Sequence, residues 1–358
     1  MPWLFHPARE FARFAPDWDV LAAASGDVPF LQSRFISPLL SEFASGNELL
    51  AVSTGAGGVE AMTLVCPRGK GIWETFQPSQ LPLGPWVMRG TMEMGALARS
   101  LLRQLPGFAV QVGLTQLDPL LFDRPSDHVG LGTLDYIQTA WVPVSGAFDA
   151  YWDSRGKNLR TNMRKQRKKL QAEGVPIRFE VLTRAEDVAK AIASYGTLES
   201  AGWKAALGTA IHPDNPQGRF YRTMLENFCA ASAGRIYRYW FGDRVVAVDL
   251  CIESRGMLVV LKTTYDESWK TLSPASLLRE DELRDIFHEG RIRRVEFFGK
   301  VMDWHTHWTG ETRTLYHVNC FRWAWMARLH ARRLRWQHAV SPSEGMSDAA
   351  GARAGDAH

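Results

Sequence analysis

At 358 residues, with 46% apolar and 22% charged residues and a net charge of +4 at pH 7, the chain has the composition of a water-soluble globular protein. It is long for one compact core, and two domain-sized units are expected. So small a net charge excludes reading it as a nucleic-acid binder on overall balance, which leaves any such role to local clusters. No stretch approaches the roughly 20 apolar residues that span a bilayer, and Met1-Pro2-Trp3-Leu4-Phe5-His6 lacks the basic-then-apolar pattern of a secretory signal, so a cytoplasmic protein is expected.

Along the chain, Leu31 to Phe43 reads as a helix that Pro38 could interrupt. Glu48 to Ser53 and Val59 to Val65 read as strands joined by a glycine-rich hairpin signal. Ile72 to Phe76 and Trp86 to Met88 are strand fragments around a proline-rich loop, and Met92 to Gln104 has helical spacing. Phe108 to Leu114 and Tyr136 to Val142 return to strand character.

A second unit opens at Phe148 with a long basic helix, followed by a strand at Ile177 to Leu182 and helices at Ala185 to Glu199 and Gly218 to Ser232. Arg235 to Phe241, Val245 to Glu253 and Met257 to Thr264 are strands with very short connections, an antiparallel meander. A helix at Pro274 to Glu289, strands at Arg294 to Phe298 and Arg313 to Phe321, and a last helix from Trp323 to about Ala339 complete it. The expected division is an N-terminal unit 1–145, a C-terminal unit 146–340 and a disordered tail 341–358, both units being mixed α/β. Cys66, Cys229, Cys251 and Cys320 show no metal-ligand or redox spacing and read as buried free thiols.

Two features carry chemistry. Eight Lys or Arg residues and no acid lie between Arg155 and Lys169. At helical spacing Leu159, Met163 and Leu170 share one stripe, while Arg160, Arg164, Arg167 and Lys168 fall on another that is either a solvated face or a phosphate-binding one. Further on, the strand ending at Lys262 leads through Tyr265-Asp266 to Ser273-Pro274, a helix start with an N-cap residue and a first-turn proline. Such a start is either an ordinary capped helix or an anion site.

This series resembles the CelD/BcsL-type acetyltransferase domain of the GNAT superfamily, which is related to the FemABX peptidyltransferases. The basic helix Arg160 to Leu170, Lys262-x-x-Tyr265-Asp266, Ser273-Pro274-x-x-Leu277-Leu278, Glu296-Phe297-Phe298-Gly299 and Trp304 to Trp308 carry the likeness, over roughly residues 145–325. It implies two tandem GNAT-like units and an acyltransferase, with acyl-CoA, acetyl-CoA included, as donor; a tRNA-linked donor is the lesser option. The acceptor would be an amine or hydroxyl on a small or envelope- or exopolysaccharide-related molecule. Three departures stand out. The family's Ser-Pro-Gly is Ser273-Pro274-Ala275, an imidazole at His305 replaces a lysine, and the Gln/Arg-x-x-Gly-x-Gly/Ala loop that holds the CoA pyrophosphate is absent from the expected place.

On that reading Arg160, Arg164 and the Ser273 turn hold anionic groups, Lys262, Tyr265 and Trp304 line the cleft, and Glu296, Asp303 or His305 takes the proton. His305 and His307 lack a third partner at metal-ligand spacing, so no metal is expected. Trp203-Lys204 reads as packing or acceptor binding. The basic, Trp-rich last helix suits either the core's outer face or an anionic membrane surface. The alternative to an enzyme is an accessory protein of an envelope system that binds a partner or membrane through its basic helices; DNA is not expected.

Overall fold

The computed structural model describes residues 2–55, 57–90, 92–127, 130–201, 211–330 and 332, and in these residues thirteen strands form one continuous mixed sheet. The N-terminal half runs β1 (Trp3–Pro7), α1 (Ala15–Ala24), α2 (Ser33–Phe43), β2 (Leu49–Gly55), β3 (Gly58–Gly69), β4 (Ile72–Thr75), β5 (Trp86–Met88), α3 (Met94–Gln104), β6 (Gln111–Leu117) and β7 (Leu131–Pro143). Pro38 does not break α2. A proline ring displaces the carbonyl four residues back, and here that carbonyl, of Arg34, accepts from Asn227 Nδ2 at 3.4 Å.

The C-terminal half continues with α4 (Phe148–Asp153), α5 (Lys157–Ala172), β8 (Ile177–Leu182), α6 (Ala185–Ala201), α7 (Pro216–Ala230), β9 (Gly234–Phe241), β10 (Arg244–Ser254), β11 (Met257–Tyr265), α8 (Pro274–Glu289), β12 (Arg294–Glu296), α9 (Asp303–Trp308) and β13 (Thr312–Phe321). The single long basic helix expected from Phe148 is thus two helices, parted where Gly156 leaves the helical conformation with φ −55° and ψ 136°. Residues 324–330 are helical. Trp323 precedes the helical segment, and the rest of the expected last helix, apart from residue 332, and the 341–358 tail lie outside the described residues.

Strand order is β1-β2-β3-β4-β6-β13-β7-β12-β11-β10-β9-β8, with β5 beside β3. The antiparallel meander β9-β10-β11 is as the short turns require. The last strand, β13, does not stay with its own half; it lies between β6 and β7. Strand β7 joins the halves, pairing with β13 over most of its length and then with β12 through Val142↔Val295 and Trp141↔Glu296.

Helices α1, α2, α6 and α7 share one apolar layer across both halves. Phe220 of α7 sits 5.2 Å from Phe35 and 5.6 Å from Phe43 of α2, ring to ring, and all but the partly buried Phe43 are buried. On the other face, α3 covers the N-terminal strands and α4, α5 and α8 cover the C-terminal ones. All four cysteines are buried and unpaired.

Candidate functional site

The site begins with a defect in the meander. Leu250 faces Lys262 but Cys251 faces Val260, so Leu261 is an extra residue, a β-bulge. Beyond it, side chains alternate between faces. Lys262 goes to the α7 side, its Nζ 5.9 Å from the Tyr221 ring centre. Thr263 and Tyr265 go to the α8 side, where they line a cleft of about 510 Å³. The expectation that Lys262 and Tyr265 share the cleft is therefore corrected: three residues apart on one strand, they lie on opposite faces.

A short 3-10 turn, Glu267–Leu272, carries the chain from β11 to α8. Ser273 then adopts the left-handed conformation, φ +52° and ψ +51°. Its side chain makes no capping hydrogen bond, contrary to the N-cap expected from the sequence; its carbonyl instead accepts from the amides of Ser276 and Leu277, both at 3.0 Å. Lys270-x-x-Ser273-x-Ala275 thus stands between strand and helix, with a serine held at the positive φ that glycine adopts without strain. Ser273→Gly is expected to raise stability by about 1 kcal/mol, read from denaturant midpoints; an unchanged or lowered midpoint would show the left-handed serine to be unstrained.

Lys270 and the turn Ser273 to Ser276 form one side of the cleft, and Trp304, His307 and Trp308 of α9 form another. Helix α9 is fastened from behind: the Trp308 carbonyl accepts from Tyr151 Oη at 2.8 Å and Arg155 Nη1 at 2.7 Å, and its ring stacks on Trp152 at 6.0 Å. His305, by contrast, is 4% exposed, lies 3.6 Å from the Trp304 ring and accepts the Met302 amide on Nδ1. Burial lowers it to about 4, so at neutral pH it is uncharged and supplies no cation to a donor. The imidazole that reaches the cleft is His307.

The floor of the cleft is Arg279, 3% exposed. Its guanidinium meets Asp249 Oδ2 at 2.8 Å, Glu282 Oε2 at 2.6 Å and Thr263 Oγ1 at 3.2 Å. Both carboxylates are completely buried. Burial pushes Glu282 well above the usual carboxylate range; Arg279 opposes that rise and Asp249 adds to it. One cation thus holds two acids below the reaction space. The sequence reading passed over Arg279, although an arginine directly after Leu277-Leu278 on a helix facing the sheet is the signal of a buried charge with a partner.

The expected proton acceptor Glu296 lies elsewhere. Its neighbours Val295 and Phe297 pack toward α8, while Glu296 itself joins Arg313 at 2.9 Å and Arg294 at 3.0 Å, with Asp118 on the other side of Arg313 at 2.6 Å. It is not among the residues lining the cleft. Burial raises its carboxyl from 4.5 to about 7 against the pull of Arg313 and Arg294. A carboxyl whose folded value exceeds its unfolded one binds extra protons when folded, so its contribution is complete below about pH 4.5 and is lost as the pH rises through about 7. Glu296→Gln is therefore expected to flatten the fall in stability between those values, read from denaturation at a series of pH values; an unaltered slope would contradict the assignment.

Of the basic helix, Met163, Gln166 and Leu170 are buried as the stripe requires, and Leu159 packs beside them. Arg167 is committed to Asp281 at 2.8 Å and Glu280 at 3.1 Å, which docks α5 on α8. Arg160 pairs with Asp153 at 3.0 Å, and Arg164 is exposed; neither lines the cleft. Asp303 is exposed in the first turn of α9. Trp203-Lys204 lies outside the described residues. Among the described residues no group of three His, Cys, Asp or Glu side chains could hold a metal, and no helix is long and apolar enough to cross a membrane.

Residues 157–306, which include the bulge, the turn and most of α9, match the family model described as an acetyltransferase (GNAT) domain. Solved structures share the fold of nearly the whole chain. FemX aligns with a TM-score of 0.56 at 8% identity, over 89% of this chain and 97% of its own. The C-terminal domain of a putative lysylphosphatidylglycerol synthetase from Agrobacterium fabrum aligns at 0.53 and 12% identity, over 83% and 91%. A conserved protein of unknown function from Bacteroides thetaiotaomicron gives 0.54 at 8%, over 86% and 97%. No curated protein sequence matches the chain significantly. The protein therefore has a GNAT acyltransferase-type fold. Within that class its arrangement is similar to that of FemX over most of the chain, with one mixed sheet running through both halves.

Proposed function

We propose that the protein transfers an acyl or aminoacyl group from an anionic carrier to an amine or hydroxyl in the cleft between β11, α8 and α9. The observation that carries this is the cleft's polarity: a helix-start turn with Lys270 at one end and a buried guanidinium beside a hydroxyl, Arg279 and Thr263, at its floor. The first turn of a helix is where free amides favour phosphate; here Ser273 and Ser276 already donate to the Lys270 and Ser273 carbonyls and Pro274 has no N–H, so Lys270 and the Ala275 amide would be the phosphate donors. The carrier's phosphates, those of an acyl-CoA in the first instance, would sit at Ser273 to Ser276. Thr263 and Arg279 would polarise the acyl carbonyl, on which negative charge grows as the nucleophile attacks. His307 would take the proton that the nucleophile loses as the carrier thiolate or alkoxide departs.

Asp303 and His305 flank the same wall, and Glu296 would act through the Arg313 network that anchors β12 to β13. The division into units at 145/146 remains part of this proposal, with β13 reaching back into the first. An envelope or exopolysaccharide acceptor is the proposed acceptor class. The test is release of carrier when the purified protein is given acyl-CoAs or aminoacyl-tRNA with a panel of amines and alcohols. Turnover lost in Arg279→Met supports the reading; no turnover with any donor contradicts it. One observation favours the accessory-protein alternative: no carboxylate is among the residues lining the cleft. A partner or membrane interaction that survives Glu296→Ala and Asp303→Ala, with no donor consumed, would support that alternative.

A further inference from the structure

The corner where α3 leads into β6 carries features that the acyl-transfer reading leaves unused. Phe108 is 64% exposed, and its backbone is held left-handed at φ +55°, an uncommon conformation for a bulky side chain. Trp323 lies 5.9 Å from the Phe108 ring and stacks on Trp325 at 6.2 Å. Trp325 and Leu329, on the helical segment 324–330, are 57% and 55% exposed. Arg322 fastens these two stretches of chain together. It donates to the Ala109 carbonyl at 2.6 Å and the Leu102 carbonyl at 3.2 Å, and its guanidinium lies 4.6 Å from the Phe108 ring.

Among the described residues, no carboxylate forms an ion pair with Arg322, Arg328 or Arg332, and Arg328 and Arg332 are exposed. The result is an aromatic ledge edged by cations. Exposed indoles are most stable at the boundary between hydrocarbon and water, and arginine stems lie along apolar surface with the charge at phosphate level. Anionic lipid headgroups complement this rim. A second copy of the chain would bring the arginines against one another.

We propose that this ledge docks on an anionic phospholipid surface. The inference stands apart from the acyl-transfer reading and rests on different residues. It is tested by co-sedimentation of the full chain with phosphatidylcholine vesicles, alone or with one third phosphatidylglycerol. The wild-type chain is expected to bind the anionic vesicles, to bind the neutral ones poorly and to be released by high salt. Partition should weaken at least about tenfold in Phe108→Ser/Trp325→Ser. These side chains are exposed, so the melting temperature should hold. Arg328→Glu, at an exposed position, should weaken partition in the same direction and carries the test should the double variant not fold. The proposal is overturned if the wild type ignores anionic vesicles, if both variants bind like the wild type, or if Trp325→Ser instead splits a dimer in solution.

Discussion

Arg279→Met is expected to destabilise the protein by about 3–5 kcal/mol, the usual cost of leaving a buried charge unpaired. Arg279 is 3% exposed and is the cation paired with both Asp249 and Glu282, each of them fully buried. Methionine fills a similar volume but leaves two acids together without compensation. The loss should depend on pH in a definite sense. Glu282 is already pushed up by burial, and removal of Arg279 takes away the influence that lowers it. Glu282 would then bind a proton in the folded state over a range where the unfolded chain has released it, so stability falls as pH rises. Denaturant titrations should accordingly find the variant least impaired near pH 5 and most impaired near pH 8. Equal destabilisation at both values would mean that the three groups do not form one electrostatic unit. Turnover should vanish at every pH, because the same guanidinium forms the floor of the reaction space.

His307→Ala is expected to lower kcat by about a hundredfold to ten-thousandfold, the range for loss of a general base. His307 is exposed and lines the cleft, so stability should change by no more than about 0.5 kcal/mol. His305→Ala should do the reverse. That ring is buried against Trp304 and accepts the Met302 amide, so its loss should cost stability by about 1–3 kcal/mol and affect chemistry only through the shape of α9. The two variants, compared by melting temperature and by kcat, separate the roles. A His305 variant that is stable and inactive beside a His307 variant that is active would exchange them.

Local signals made much of the fold legible. Helix α8 has the expected bounds, Pro274 to Glu289, with Ser273-Pro274 marking its start; it ends where Gly290 is left-handed at φ +72°. The short turns between β9, β10 and β11 fixed the meander, because strands so closely linked have little choice but to pair with their neighbours. The insertion of β13 between β6 and β7 was not legible, since no periodicity records which distant strand a segment pairs with.

Of the expected site residues, Tyr265, Ser273 and Trp304 line one cleft. Lys262 and Tyr265 lie three residues apart on one strand, so alternation alone sets them on opposite faces; the Leu261 bulge decides only which face each one meets, and a bulge leaves no mark in an apolar run. Arg160 and Arg167 read as free cations because their partners, Asp153 on α4 and Asp281 on α8, come from elements whose packing the sequence does not state.

The central claim is that the turn from Ser273 to Ser276 holds the anionic part of an acyl donor. Ala275→Glu tests it most directly, by putting a fixed carboxylate into that turn. In calorimetric titration with acyl-CoAs and aminoacyl-tRNA, the wild type is expected to bind one of these donor classes at a single site, and the variant to bind it at least about a hundredfold more weakly. Equal affinity in both proteins, or no donor bound by the wild type, would contradict the account.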